Sequence, residues 1–194
     1  MQENTNTKMF GHVLITDADT GEVILDKYNA IHYENMSEAL AQSLANRSAG
    51  HIHEMVFGNG ASTVSGTGAV TYFPPNVTGQ SAQLYNQTYS KVVDDMSPLN
   101  LSPTLNNLRV QHAQNANFSD IIVTCTLAAN EPSDQSVFDN EVNSETPYVF
   151  DELGLRAYDP SGNGKMLTHV VFHPVQKSLN RAFRIYYTVR IFMS

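Results

Sequence analysis

Two histidines, His51 and His53, come closest in type and spacing to a metal site. They lie two positions apart in segment 51–57, which has the composition of a strand, so both imidazoles are expected on one face. Two imidazoles supply half of a tetrahedral zinc site, and a symmetric trimer would bring three such pairs around an axis. No CxxC or HExxH motif and no third ligand nearby in the sequence accompanies them. The sequence therefore predicts that His51 and His53 are not metal ligands, and it predicts no cofactor.

Paired carboxylates could carry out hydrolysis, and two pairs occur, Asp94–Asp95 and Asp151–Glu152. Because the members of each pair are adjacent, in strands they are expected to point to opposite faces and cannot act on one bond. A GxSxG nucleophile motif is absent from the sequence. These observations predict no catalytic residues, and we expect that the chain is not an enzyme.

Three further residues with reactive side chains have structural interpretations. His169 and His173 flank the letters VVF on one predicted strand face and could line a groove, but the sequence supplies no partners for them. Cys125, the one cysteine, shares a predicted strand face with aliphatic residues, so we expect a buried thiol rather than a nucleophile. A single cysteine cannot form an intrachain disulfide, which fits assembly in a reducing cytosol.

Two motifs that could bind calcium or a nucleotide depart from the required patterns. In the segment that begins at Asp17, glycine is fifth and Tyr28 is twelfth, whereas an EF-hand needs glycine sixth and glutamate twelfth. We therefore expect a hairpin turn there. The glycine-rich segment 58–68 is followed by neither the Lys-Ser/Thr of a P-loop nor a helix, so it predicts a loop.

The composition indicates a globular chain with an unusually uncharged surface. Hydrophobic residues make up 41% of the 194 residues and charged residues only 15%, against roughly 25% in average domains. The net charge is −8 without any basic cluster, which argues against sequence-specific nucleic-acid binding. The first ten residues are polar and contain no apolar run, so they predict a leader that is neither a signal peptide nor a membrane segment.

The elements expected around these residues are mostly strands. Segments 13–16 and 23–25 predict a hairpin, and residues 35–47 predict a helix capped by Asn35 or Ser37. Residues 69–118 predict an irregular excursion that contacts a partner, and an acidic loop is expected between segments 120–128 and 148–159. Three closing strands are spaced like an antiparallel meander. The last of them, residues 183–193, should lie inside a sheet with Arg184 and Arg190 on its outer face. Its period-two pattern places six residues on the apolar face: Phe183, Ile185, Tyr187, Val189, Ile191 and Met193.

Several segments, in this order, resemble a family of virion structural proteins of tailed bacteriophages, chiefly those with contractile tails. The segments are DADTGEVILDKYNAIHYENM, LANRSAGHI, FGNG, LYNQTY, LAANEP, FDELGL, LTHVVFHPVQKSLNRAF and the closing strand. The resemblance runs from about residue 11 to the end. It implies a component of the head–tail neck (collar) or tail, without enzymatic activity.

We therefore expect a leader at 1–10 and a single β-rich domain at 11–194. The fold class is mainly β, an antiparallel sandwich or barrel-like sheet with one helix at about 35–47. The expected function is that of a multi-copy virion subunit, assembled in the host cytoplasm, with copies of itself and neighbouring neck or tail proteins as partners and neither nucleic acid nor membrane. The alternative is a receptor- or glycan-binding module at the virion periphery, which predicts a sugar-stacking groove formed by Tyr85 and Tyr89.

Overall fold

The computed structural model describes residues 6–132, 148–162 and 164–194. They form eleven strands and one helix, and the fold is mainly β, as predicted. The strands are β1 (Thr7–Asp17), β2 (Val23–Ile31), β3 (Ile52–Gly58), β4 (Ser62–Val64), β5 (Val70–Tyr72), β6 (Gln87–Val92), β7 (Asn107–His112), β8 (Phe118–Leu127), β9 (Tyr148–Ala157), β10 (Thr168–Lys177) and β11 (Phe183–Met193), and the helix is α1 (Tyr33–Leu44).

Nine of the strands form one antiparallel sheet in the order β6-β3-β9-β10-β2-β1-β11-β8-β7, and β4 pairs with β5 separately. The large sheet curls into a half-barrel. The sheet has two parts, β6-β3-β9-β10 and β2-β1-β11-β8-β7. They meet at β10 and β2, where only Thr168 with Ile31 and His169 with Ala30 are paired. The curl places side chains of both parts in a single hydrophobic core. The predicted sandwich or barrel-like sheet is thereby confirmed.

Strand β11 lies between β1 and β8, with continuous pairing on both sides. Its alternating residues Phe183, Ile185, Tyr187 and Val189 are buried, as the sequence pattern predicts, whereas Ile191 is half-buried and Met193 is 50% exposed. On the other face, Arg190 donates to both carboxylate oxygens of Asp120 on β8, at 2.7 and 2.8 Å. The predicted meander is only half correct, because β9 and β10 are neighbours but β11 is not a neighbour of β10.

The hairpin β1–β2 is present, and its turn has the chemistry of a turn rather than of a calcium loop. Asp17 accepts backbone hydrogen bonds from Asp19 and Thr20, and Arg181 donates to its other oxygen at 2.8 Å. The Thr20 N–H and the Arg181 guanidinium hold the pKa of Asp17 at about 2. The carboxylate that the calcium interpretation needs is thus used within the protein.

Helix α1 begins two residues earlier than predicted and ends at Leu44. Its N-cap is His32, whose Nδ1 accepts from the Asn35 N–H at 3.2 Å, rather than Asn35 or Ser37. Histidine is not among the preferred N-cap residues, which explains why the sequence pattern misplaces the start. Met36 and Ala39 face the core, whereas Leu44 is 87% exposed.

Two predicted segment boundaries differ in the structure. Residues 7–10 of the predicted leader pair with β11, so this part of it belongs to the sheet. The predicted excursion at 69–118 contains both edge strands of the large sheet, β6 and β7. The predicted acidic loop falls mainly on residues 133–147, which lie outside the described residues.

Candidate functional site

The most concentrated polar site is built around Glu152 in the middle of β9. Its Oε1 accepts from the backbone N–H groups of Gly60 and Asn86, and its Oε2 accepts from the N–H of Tyr85 at 2.9 Å and from His169 at 3.0 Å. Both the carboxylate and the imidazole are completely buried. Glu152 therefore holds the loop after β3 and the start of β6 against the sheet.

The hydrogen bonds determine the protonation state of this pair. His169 Nδ1 accepts from the Asn76 N–H at 2.8 Å, so the ring proton is on Nε2 and is donated to Glu152. Burial pushes the pKa of Glu152 upward, but the hydrogen bonds from His169 and from backbone N–H groups outweigh it and leave the pKa below its ordinary value. Glu152 is therefore charged and His169 is neutral. Both ring nitrogens of His169 make hydrogen bonds, so neither is free to accept a proton.

Asp151 binds the same loop as Glu152. It accepts from the Ala61 N–H at 3.1 Å and from the Ser62 hydroxyl, although it is adjacent to Glu152 in the strand. Burial raises the pKa of Asp151. Adjacent carboxylates in a strand are expected to point to opposite faces, but the 60–62 loop passes close enough to contact both.

The sequence shows no partners for the two histidines of β10. The structure finds a partner for each of them in the excursion, residues 69–118. His169 contacts Glu152 and Asn76, and His173 Nδ1 lies 2.8 Å from the Tyr72 hydroxyl. The helix cap adds a third contact of this kind, since His32 Nε2 lies 2.9 Å from the Gly79 carbonyl oxygen. The buried side chains of His32 and His169 and the exposed side chain of His173 thus contact the first part of the excursion, which the irregular sequence alone did not indicate.

His51 and His53 lie on one face, as predicted, and the structure adds a residue that the sequence did not associate with them. Asp94 follows β6, and its Oδ2 lies 3.4 Å from His51 Nε2 and 3.6 Å from His53 Nδ1. The Tyr158 ring stacks on His51, with 5.0 Å between ring centroids, and contacts His53 edge-on at 5.1 Å. No third ligand lies near His51 and His53 in the sequence, but β3–β6 pairing brings Asp94, a candidate third ligand, to the two histidines.

The remaining sequence candidates have structural surroundings. Cys125 is fully buried opposite Ile185, and burial raises the pKa of its thiol to about 12, as the core interpretation predicts. Tyr89 packs against the core rings of Phe57 and Tyr148, whereas Tyr85 is 41% exposed. Of the two tyrosines that the glycan-binding alternative names, Tyr85 is exposed and Tyr89 is half-buried among core rings.

Comparison with known proteins does not add a functional assignment. No family model, no curated protein and no solved structure matches the chain. Among the residues that the structure describes, no helix is both long and apolar enough to cross a membrane.

Proposed function

We propose that the chain is a non-enzymatic structural subunit of a tailed-bacteriophage particle, present in several copies in the head–tail neck (collar) or tail. We also propose that copies associate through the edge of the sheet formed by β7. The resemblance of eight ordered segments to virion structural proteins is the basis for the particle. The exposed edge at β7 is the observation that carries the assembly.

Strand β7 ends the sheet, and among the described residues it pairs with β8 alone. An edge strand presents a row of unpaired N–H and C=O groups, which can add a strand from another chain. Several of the exposed side chains near this edge are apolar, although Arg109, Gln111 and His112 of β7 are exposed and polar. Val110 is 72% exposed, and the preceding segment also exposes Met96, Leu99 and Leu101.

An apolar cavity of about 240 Å³ lies beside the same strand, between α1 and the concave face of the sheet. Leu40 of α1, Leu108 and Val110 of β7, and Ile121 of β8 are among the residues that line it. Exposed apolar surface next to an open edge is typical of a protein–protein interface. A neighbouring subunit would cover both features at once.

The buried polar groups support a structural rather than a catalytic role. The acid–imidazole pair Glu152–His169 is closed to solvent and its acceptors are used to hold backbone N–H groups. Catalytic acids and bases must instead reach a substrate proton. The Glu152–His169 pair, which most resembles a catalytic acid–base pair, therefore supports the proposal of a structural role.

The association is tested with a charge placed on the apolar side of β7. Val110→Lys should weaken self-association at least about tenfold, since an exposed valine that becomes buried contributes about 1.5 kcal/mol or more. Gln111→Lys, on the opposite side of the same strand, is the matched control and should have a smaller effect. Sedimentation equilibrium over a concentration series measures both. A parent chain that remains a monomer at the highest concentration would contradict association through β7.

The place in a particle is tested separately, by labelling. A tagged chain supplied during phage assembly should be detected by immunogold electron microscopy at a fixed position on the neck or tail. Particles without label, from cells that contain the folded tagged chain, would refute the virion assignment.

A further inference from the structure

The cluster of His51, His53 and Asp94 is held by backbone hydrogen bonds rather than by loosely placed side chains. The N–H groups of Val93 and Asp94 both donate to the His53 carbonyl oxygen, at 2.9 and 3.1 Å. The Tyr158 N–H donates to the His51 carbonyl oxygen at 2.7 Å. Three strands, β3, β6 and β9, thus converge at this point and fix where the three side chains begin.

The distances within the cluster are longer than those of the other histidine–carboxylate hydrogen bonds in this chain, and they suit ligands of one ion. Where a histidine and a carboxylate are hydrogen-bonded elsewhere in this chain, the N–O distances are 2.6 Å for His12–Asp26 and 3.0 Å for His169–Glu152. The cluster has 3.4 and 3.6 Å instead. Bonds of about 2.0–2.2 Å at tetrahedral angles place neighbouring ligand atoms about 3.3–3.6 Å apart. One ligand atom from each of the three residues lies within 4.8 Å of the other two.

The polar atoms of the cluster are incompletely satisfied. His53 Nδ1 is buried and has no hydrogen-bond partner among the described residues. A buried polar atom without a partner is uncommon and costs free energy unless an unseen group binds it. A cation between His53 and Asp94 would satisfy the nitrogen and neutralise the carboxylate at the same time.

We propose that His51, His53 and Asp94 bind a divalent transition metal ion, with Zn²⁺ as the best match, through His51 Nε2, His53 Nδ1 and Asp94 Oδ2. The fourth position is open toward solvent on the side of His51, whose side chain is 44% exposed. Two imidazoles and one carboxylate favour zinc over calcium or magnesium, which prefer sets of oxygen ligands.

The surroundings orient the ligands in the way a metal site requires. Asp94 Oδ1 accepts from the Met96 N–H at 3.0 Å, which leaves Oδ2 directed at the histidines. Tyr158 contacts both imidazole rings and restricts their rotation. Supporting contacts of this kind are general features of protein metal sites. The ion would join the start of β3 to the end of the edge strand β6.

The test uses the full chain, with any affinity tag removed, and Zn²⁺ or Co²⁺ alone as the probe. Calorimetric titration should give one Zn²⁺ per chain, and zinc should raise the melting temperature because it binds the folded state. Co²⁺ should develop the visible absorption bands of a tetrahedral site.

Asp94→Asn keeps the oxygen that accepts from Met96 but removes the anionic ligand. His53→Ala removes the buried nitrogen. Each should weaken binding by more than the 10–100-fold that losing a supporting contact typically costs.

His12→Ala is the matched control, because it removes the histidine of the chain's exposed His–Asp pair and leaves the cluster intact. Its zinc affinity should equal that of the parent. A parent chain that neither binds Zn²⁺ nor develops the Co²⁺ bands would overturn the proposal whether or not the variants fold. Binding that survives in a folded His51→Ala/His53→Ala double variant would overturn it as well.

Discussion

Glu152 illustrates how one residue can determine the path of a long irregular segment. A single buried carboxylate accepts three backbone N–H groups and one imidazole N–H, from residues that are far apart in the sequence. The three backbone hydrogen bonds are partly buried, and the one to His169 is fully buried. The carboxylate replaces the pairing that a regular strand would have provided for them.

Removing this acceptor should be strongly destabilising. Glu152→Ala leaves the donors of Gly60, Tyr85 and Asn86 and the buried His169 ring without their acceptor, and we expect a loss of at least about 1–3 kcal/mol in the free energy of unfolding, the cost of one unsatisfied buried donor. Glu152→Gln should lose less, because it keeps one oxygen acceptor. Exposed Glu22→Ala is the control and should change stability by about 0.5 kcal/mol or less. Urea unfolding measures all three, and a Glu152→Ala variant as stable as the control would disprove the role.

At the scale of elements, β11 contributes more than any other strand to the continuity of the sheet. It is paired along its length with β1 on one side and β8 on the other, and its inward side chains belong to the single core. An interior strand cannot be lost without exposing two new edges and part of the core. The arginines on its outer face add the ion pair with Asp120 but are not needed for this arrangement.

We therefore expect truncation after Arg181 to give insoluble or protease-sensitive protein. Fully burying each apolar side chain of the strand contributes about 1.5–3 kcal/mol, so the sum is comparable with a whole domain's stability of about 5–15 kcal/mol. Tyr187→Asp should do nearly as much damage, because Tyr187 is fully buried. Thr188→Asp, on the other face, should be mild. Soluble yield and melting temperature distinguish them, and a truncated chain that melts cooperatively near the parent's temperature would contradict this account.

The sequence predicts elements better than it predicts neighbours. Alternation of apolar and polar residues identifies β11, and the two-residue spacing places His51 and His53 on one face, because both depend on local geometry alone. The position of β11 beside β1 depends on contacts across almost the whole chain, so spacing along the chain suggested the wrong neighbour. Asp94 was missed as a candidate ligand for the same reason, since it reaches the histidines only through the pairing of β3 with β6.

At the scale of the whole molecule, the two parts of the sheet are joined by little hydrogen bonding but share one core. The backbone contact between β10 and β2 comprises only two residue pairs. The buried cluster nevertheless includes Phe150 and Leu153 of β9 together with Ile185 and Tyr187 of β11. Because burial of apolar surface is the larger stabilising contribution, the shared core rather than the strand joint should determine how the molecule unfolds.

We expect one cooperative unfolding transition, in which β9 and β11 are lost together. Leu153→Ala in β9 removes a fully buried side chain and should cost about 2–5 kcal/mol. Hydrogen exchange of the slowest amides reports the free energy of opening. If the core is shared, this free energy should fall by the same amount in β11 as in β9. Leu44→Ala, at an exposed helix position, should leave both unchanged. Acceleration confined to β9 and its neighbours β3 and β10, with β11 as protected as in the parent chain, would show that the two parts of the half-barrel unfold independently.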